Sequence, residues 1–233
     1  MDIDTLAKLP IWFGVFVFST TCHEAAHALV AHLGGDSTAY EGGQVSLDPV
    51  PHMRREPFGM VIVPLVSFLI MGGWMIGWAS APYDPRWAMR YPKRAALMSA
   101  AGPAANFLLA AIAFVLIVVF VRADVLQFSN GGIDELVVAT SGVRTSGAGA
   151  LGVGLSVLLT LNVILGLFNL FPIPPLDGGG ILEGLFPDGI GEKLREFRSS
   201  QYGFFGLMIV WYIFPKIAGP ALGLVFRFLV LLS

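Results

Sequence analysis

The chain alternates between long apolar runs and short polar segments rich in proline and glycine. A membrane-spanning helix needs about 20 apolar residues, because each residue adds about 1.5 Å along the helix axis. Two of the runs are short, and Pro215 separates them. The pattern predicts an all-α polytopic membrane protein with about five to six transmembrane helices. The apolar runs cover residues 9–33, 58–79, 95–121, 149–171, 204–214 and 217–232.

The two segments after the first run predict other structure. Residues 34–57 contain many Gly, Asp and Pro residues, and Gln44-Val45-Ser46-Leu47 alternates between polar and apolar side chains. This alternation predicts a short membrane-associated β strand or hairpin after the first helix. The run 58–79 contains Gly and Pro residues, which membranes tolerate only where the backbone faces protein or water. We therefore expect this run to bend or re-enter the membrane.

Composition supports a membrane protein and excludes some partners. Hydrophobic residues make up 55% of the chain and charged residues 13%, whereas a soluble domain would be about one quarter charged. The net charge of −2 does not suggest a nucleic-acid partner. A lone cysteine, Cys22, excludes an internal disulfide and a cysteine-based zinc site. We expect one domain over 1–233, with a catalytic core at about 9–187 and a C-terminal helical hairpin at about 200–233.

The first apolar run contains the sequence His23-Glu24-Ala-Ala-His27. Two histidines four residues apart lie on one face of a helix, about 6 Å apart along its axis, so both can bind one metal ion. Glu24 then lies beside the ion, where it can take a proton from a water molecule that the ion activates. The other interpretation is packing or a chance match. It is less favourable because ionisable groups are costly in a membrane and are functional by default.

Asp177 is the candidate third ligand. It follows the fourth run, in Asn169-Leu-Phe-Pro-Ile-Pro-Pro-Leu-Asp177-Gly-Gly-Gly, where prolines and glycines must break the helix. Breaking a helix in a membrane is costly unless a site is built there. Two histidines and a carboxylate are a common ligand set for catalytic zinc. Alternatively, Asp177 is a turn residue before Gly178.

Other polar residues receive structural interpretations. His52 lies in the 34–57 loop, and His32 points away from the face of His23 and His27, so neither is expected to bind metal. In the third run, Gly102 permits close helix contact and Asn106 can hydrogen-bond across helices, which places them beside the metal-binding helix.

These motifs together resemble the site-2 protease family of intramembrane zinc metalloproteases, in its compact branch without PDZ or CBS domains. The resemblance rests on HEAAH at 23–27, GPAAN at 102–106 and NLFPIPPLDGG at 169–179. It implies that His23, His27 and Asp177 bind one zinc ion and that Glu24 is the general base and acid. It also implies that Asn169 holds the substrate strand or the oxyanion, and that the substrates are transmembrane proteins cleaved within or near their membrane segments.

The site also constrains topology. His23, His27 and Asp177 must lie at one depth in the membrane, so the first and fourth runs must be parallel. Parallel helices need an odd number of crossings between them, and two runs intervene. One of these, most simply 58–79, must therefore not cross the membrane. Positive charges then divide ten to four, which places the site toward the cytoplasm. If all six runs cross, the division is eight to five and points the other way. The ten include Arg54, Arg55, Arg86, Arg90, Lys93, Arg94, Lys193, Arg195, Arg198 and Arg227; the four are Lys8, Arg122, Arg144 and Lys216.

The sequence thus predicts a multi-pass protease of the prokaryotic cell membrane, embedded in the lipid bilayer, without predicting an oligomeric state. One alternative is a membrane zinc-binding or transport protein without peptidase activity, although paired repeats and acidic relays typical of transporters are not evident. Another is an inactive scaffold, although all the chemical positions are filled.

Overall fold

The structure is a computed structural model that describes residues 2–140, 146–200 and 203–233. It is mainly helical, with one antiparallel pair of short strands, β1 (Leu126–Phe128) and β2 (Val137–Ala139). The helices are α1 (Ile3–Ala7), α2 (Leu9–Leu33), α3 (Thr38–Glu41), α4 (Pro49–Arg55), a π-helical turn (Phe58–Ile62) that continues into α5 (Val63–Ile70), α6 (Pro85–Arg90), α7 (Pro92–Arg122), α8 (Ser146–Asn169), α9 (Asp177–Leu185), α10 (Ile190–Ser199), α11 (Gly203–Ile213) and α12 (Pro215–Leu232).

Helix α7 lies at the centre of the fold and packs against α2, α8 and α9. Its contacts with α8 and the β hairpin form an apolar core around Ala113, Ile117, Leu126 and Leu159. Small residues on α7 allow this close approach, because they leave the helix backbone accessible to its neighbours. The central helix therefore determines how deep its three partners lie.

Helices α2 and α8 run parallel, as the shared depth of the metal ligands requires. Lys8, just before α2, forms ion pairs of 2.8 Å with Asp134 and Glu135 in the connection between β1 and β2. Helix α8 starts beyond this hairpin, and the segment after α8 returns to the later half of α2. Both helices therefore run from the hairpin end of the molecule toward the opposite end.

The apolar run 58–79 does not cross the molecule. Its helical part ends near Gly72 and Gly73, whose φ values of 68° and 99° are accessible mainly to glycine. The chain then returns in an extended conformation, and the Trp78 amide donates to the Gly59 carbonyl at 3.1 Å. This hydrogen bond brings the two ends of the run together, so the prediction that the run re-enters is confirmed.

The β hairpin does not lie where the sequence pattern placed it. Residues 34–57 contain the short helices α3 and α4 and no strand, whereas the two strands lie between α7 and α8. Asp48 accepts a hydrogen bond from the Val50 amide and Pro49 occupies the first turn of α4. The alternating residues Gln44–Leu47 precede this helix and bond to the helices on either side: the Gln44 amide donates to the Ala39 carbonyl, and the Ser46 carbonyl lies 3.1 Å from Nε2 of His52. An alternating segment forms a strand only when another strand pairs with it.

The segment predicted to form a C-terminal helical hairpin contains α11 and α12, which meet at Phe214. Phe214 has helical backbone angles, its amide donates to the Val210 carbonyl, and the Ala218 amide donates to the Phe214 carbonyl. Helices α11 and α12 therefore form one path with a kink at Pro215, which has no N–H to donate. Arg227 then lies near Leu232, whose carbonyl accepts a hydrogen bond from Arg122 at the hairpin end. Moving this one charge leaves the sign of the charge bias unchanged.

Three helices of the described chain are long and apolar enough to span a membrane: Pro92–Arg122, Gly147–Asn169 and Pro215–Leu232. Helix α2 is also long, with 25 residues, but it includes polar side chains. The all-α membrane fold is confirmed. With α2, the described part of the chain contains four long helices, fewer than the five to six predicted, because the run 58–79 turns back and the last two runs form one path.

This topology predicts the accessibility of engineered cysteines. In a chain with Cys22→Ala, cysteines at Arg54 and Arg86, which flank the re-entrant segment, should react with an impermeant thiol reagent from the same face of the membrane. A cysteine at Asn130 in the hairpin connection should react from the opposite face. The Cys22→Ala chain without added cysteines is the control. Labelling of positions 54 and 86 from opposite faces would contradict the fold.

Candidate metal centre

Two imidazole rings from α2 form one side of the candidate metal centre. His23 and His27 lie one helical turn apart and are both buried, and their Nε2 atoms are 3.0 Å apart. Their ring planes are nearly perpendicular, at 80°. The four-residue spacing therefore aims both Nε2 atoms at one point, as the sequence predicted.

Asp177 completes the group from the opposite side. Its Oδ2 lies 3.1 Å from Nε2 of His23, and its Oδ1 lies 3.3 Å from Nε2 of His27. These three residues form the one possible metal-binding group of histidine, cysteine or acidic residues found in the described part of the chain. The structure thus brings together the three predicted ligands, although 150 residues separate His27 from Asp177.

The break after α8 determines the position of Asp177. Residues 170–176 turn back, and Asp177 begins α9. A Cβ at Gly178 would overlap the carbonyl oxygens of Leu170 and Phe171, and one at Gly184 would overlap the Pro92 carbonyl of α7. The glycines therefore allow α9 to pack directly against the turn and against α7, which brings the carboxylate to the depth of the histidines.

The hydrogen bonds of the rings show that this group suits a cation. The Nδ1 atoms of His23 and His27 lie 2.6 Å from Oδ1 of Asn106 and 2.7 Å from the Met98 carbonyl oxygen. Both partners are acceptors, so each Nδ1 carries a proton and each Nε2 directs a lone pair into the site. Oδ2 of Asp177 is buried and has no hydrogen-bond partner. Two lone pairs and a carboxylate in such proximity fit a divalent cation, and the donor set fits zinc.

Helix α7 approaches the group at Gly102. A Cβ built at this position would overlap Nε2 of His23 and Nε2 of His27. A side chain at Gly102 would therefore occupy the space between the ligands, where the ion must lie. The close helix contact predicted at Gly102 is confirmed, and its role is to leave room for the site.

Glu24 lies next to the metal ligands. It is 6% exposed and lines the same cavity as His23, His27 and Asp177. Because Glu24 follows His23 directly on α2, its side chain leaves the helix beside the face that carries His23 and His27. This position is suited to proton transfer with a group bound at the metal.

The metal-binding group opens into a cavity of about 630 Å³. One wall is the extended return segment, including Ala79, Ser80 and Ala81, and another includes residues of α9 and α10. A reaction site inside a helical protein needs such a space, because water and a substrate must both reach the ligands. The cavity opens at the end of the molecule opposite the β hairpin.

Charged residues of α9 and α10 line the cavity away from the histidines. Arg198 donates to Glu183 Oε1 at 2.6 Å and to the hydroxyl of Tyr83 at 2.9 Å. Burial raises the pKa of Glu183 above its ordinary value, although the Arg198 and Arg195 guanidinium groups act in the opposite direction. These bonds connect α9, α10 and the return segment around the cavity. These contacts join distant segments of the chain, so no local sequence pattern predicts them.

Asn169 also lines the cavity, at the end of α8. Its Nδ2 donates to the Leu165 carbonyl one turn earlier, at 3.0 Å. This bond within the helix orients the amide, while the predicted contact with a substrate remains a prediction.

The other histidines and the cysteine lie outside the metal-binding group. His52 is buried in α4 and its Nε2 lies 3.1 Å from the Ser46 carbonyl oxygen. His32 stacks on Tyr40 with ring centroids 4.2 Å apart and hydrogen-bonds Ser37. Cys22 is a half-buried free thiol. Each of these two histidines therefore has a hydrogen-bond partner outside the metal-binding group.

One family of known proteins matches most of this chain. The model of peptidase family M50 matches residues 11–213, which include all the candidate ligands. The chain belongs to peptidase family M50.

Two relatives of this M50 peptidase come from bacteria. It is 32% identical over 209 residues to "Putative zinc metalloprotease YwhC" of Bacillus subtilis, a match that covers 88% of this chain and 82% of the relative. It is 28% identical over 222 residues to "Putative zinc metalloprotease Rip2" of Mycobacterium tuberculosis, covering 91% of this chain and 73% of the relative. No solved structure matches.

Asn162 and Ser19, which lie behind the metal ligands of the M50 peptidase, were not predicted from the sequence. Asn162 accepts a hydrogen bond from Asn106 at 2.8 Å and donates one to Ser19 at 2.8 Å. Asn162 lies within the apolar run 149–171, and a polar side chain in such a run is a signal for hydrogen bonding between helices. That signal could have identified Asn162, but not its partners.

The position of Gly102 predicts a strong effect of one methyl group. Gly102→Ala should reduce the zinc content of the purified M50 peptidase from about one ion per chain to nearly zero, because the added Cβ fills the space between the two Nε2 atoms. Metal analysis by mass spectrometry measures the content. Gly14→Ala on α2 is the matched control, since a Cβ there has no neighbour within 4 Å. Equal zinc in both variants would place the ion elsewhere.

Proposed function

We propose that this M50 peptidase is an intramembrane zinc metalloendopeptidase that cleaves other membrane proteins within or near their transmembrane segments. The observation that carries the proposal is the convergence of His23, His27 and Asp177 on one point, with Glu24 in the same cavity. A peptidase site between long apolar helices suits substrates that themselves lie in the lipid bilayer.

In this proposal the metal ligands are His23, His27 and Asp177, and the HExxH motif supplies two of them. A zinc ion bound by these three residues would supply Lewis-acid chemistry: it would lower the pKa of a water molecule to about 7 and polarise a peptide carbonyl. The hydrogen bonds from Nδ1 of each histidine to an acceptor hold the rings in the orientation that this coordination needs.

Glu24 acts as the general base and then as the general acid. Its carboxylate takes the proton of the attacking water, and the carboxylic acid returns that proton to the nitrogen of the leaving amine. The carboxylate is buried next to the ligands without being one of them, so it is free to exchange protons. One residue therefore serves both proton transfers.

The extended return segment is the proposed binding surface for the cleaved peptide. A substrate helix must unwind before hydrolysis, because its carbonyl groups otherwise accept helical hydrogen bonds. Residues 77–81 offer an extended backbone along the cavity wall, to which a peptide could add as a strand. Gln44 donates to the Ser80 carbonyl at 3.0 Å and Ser80 donates to Glu56 at 2.6 Å, which holds this wall in place. Asn169, across the cavity, is the proposed contact for the substrate strand or the oxyanion.

We place the enzyme in a prokaryotic cell membrane with its active site toward the cytoplasm. Both relatives are bacterial, and the positive charges are concentrated at the end of the molecule where the cavity opens. Cytoplasmic water would then enter the cavity directly.

Replacement of Glu24 by Gln separates catalysis from metal binding. Glu24→Gln should retain one zinc per chain but lose peptidase activity by about 10²- to 10⁴-fold, because the amide cannot accept the proton. Cleavage of a reconstituted single-span substrate in proteoliposomes, together with metal analysis, measures both quantities. Glu192→Gln, at an exposed position of α10, is the control.

Two results of this experiment would contradict the proposal. Full activity of Glu24→Gln would remove Glu24 from the mechanism. A wild-type chain that binds zinc and moves it across the vesicle membrane, without cleaving any membrane protein substrate, would favour the zinc-transport alternative.

A further inference from the structure

Three of the completely buried polar side chains on the long helices are hydrogen-bonded to one another: Ser19 on α2, Asn106 on α7 and Asn162 on α8, each with 0% exposure. Of these three side chains, Asn106 is the one that hydrogen-bonds to a candidate metal ligand. Burying amide and hydroxyl groups costs free energy unless they are hydrogen-bonded to one another. Their arrangement therefore needs an explanation beyond helix packing.

The hydrogen bonds among these residues have only one possible direction. Nδ2 of Asn162 lies 2.8 Å from the Leu158 carbonyl oxygen, which can only accept, so the Asn162 amide nitrogen must face that carbonyl. Its Oδ1 then faces Asn106 and accepts from Nδ2 of Asn106 at 2.8 Å. This leaves Oδ1 of Asn106 facing Nδ1 of His23, 2.6 Å away. An amide oxygen can only accept, so the His23 proton lies on Nδ1.

The chain of bonds thus determines the tautomer of His23. With the proton on Nδ1, Nε2 presents its lone pair to the metal position; with the opposite tautomer, an N–H group would block that position. The other metal-binding histidine does not depend on side chains in this way. Nδ1 of His27 donates to the backbone carbonyl of Met98.

The bonds also form a closed circuit through three helices. The second hydrogen on Nδ2 of Asn162 is donated to Oγ of Ser19, at 2.8 Å, and Ser19 lies one turn before His23 on α2. The circuit therefore runs from α2 through α8 and α7 and returns to α2. A shift of any one of the three helices would lengthen at least one bond of this circuit.

We propose that Asn162 is a positioning residue of the metal centre, which determines the tautomer and orientation of His23 through Asn106 without contacting the metal ligands. The inference rests on the proposed function, in which His23 binds zinc. Asn162→Leu removes the acceptor for Asn106, so the Asn106 amide can rotate and present its NH₂ group to His23.

The test is the zinc affinity of the purified full chain in detergent, measured by competition with a chelator of known affinity. Asn162→Leu should bind zinc about 10- to 100-fold more weakly than the wild type, the usual effect of losing such an outer partner. Thr160→Val is the matched control: Thr160 is also buried on α8, but its hydroxyl bonds the Ser156 carbonyl within the helix. It should bind zinc within threefold of the wild type. Melting of the zinc-free chains separates a loss of stability from a loss of affinity.

A second variant keeps the inference testable if Asn162→Leu does not fold. Asn106→Asp preserves an acceptor for Nδ1 of His23 while removing the donor to Asn162, so it should bind zinc within threefold of the wild type. A loss of tenfold or more in Asn106→Asp, or an unchanged affinity in a folded Asn162→Leu chain, would overturn the inference. A wild-type chain that takes up no zinc would instead refute the proposed function, and this inference with it.

Discussion

The structure depends on the close approach of two imidazole nitrogens and one carboxylate inside a helical core. Such groups repel one another and lose hydration when they are buried, so the arrangement is unfavourable unless a cation joins them. The fold compensates for the buried polar groups with partners of the right kind: an amide oxygen and a backbone carbonyl accept the Nδ1 protons. The same partners make the Nε2 atoms available to an ion, so the features that stabilise the buried rings also create the metal-binding group.

Bringing the carboxylate to the histidines requires breaks in regular structure at membrane depth. The chain unwinds after Asn169, and the glycines from Gly178 onward allow α9 to begin in contact with that turn. The re-entrant segment is a second break, and its freed backbone groups find partners in side chains: the Ile76 amide donates to Ser67 Oγ and the Ser80 carbonyl accepts from Gln44. Irregular backbone is tolerated here because it lines a cavity and is satisfied by protein groups.

The parts of the structure that could be predicted from the sequence are those determined by local spacing or simple topology. The separation of His23 and His27 is a property of any helix, and the need for Asp177 at the same depth correctly required a run that does not cross. The strand predicted at Gln44–Leu47 was wrong, because this segment has no neighbouring strand and bonds instead to the short helices beside it: the Gln44 amide donates to the Ala39 carbonyl, and the Ser46 carbonyl lies 3.1 Å from Nε2 of His52. The hydrogen-bond circuit through Asn162 could not be predicted from the sequence, because its side chains meet only after three distant segments have packed together.

X-ray absorption spectroscopy at the zinc edge of the purified protein tests most directly which residues hold the ion. We expect two imidazole ligands at about 2.0–2.1 Å, with oxygen and no sulfur in the remaining positions. His27→Ala should remove one imidazole from the spectrum, whereas His32→Ala and His52→Ala should leave it unchanged. A sulfur ligand, or a spectrum that loses an imidazole in His32→Ala or His52→Ala, would contradict the claim that His23, His27 and Asp177 hold the ion.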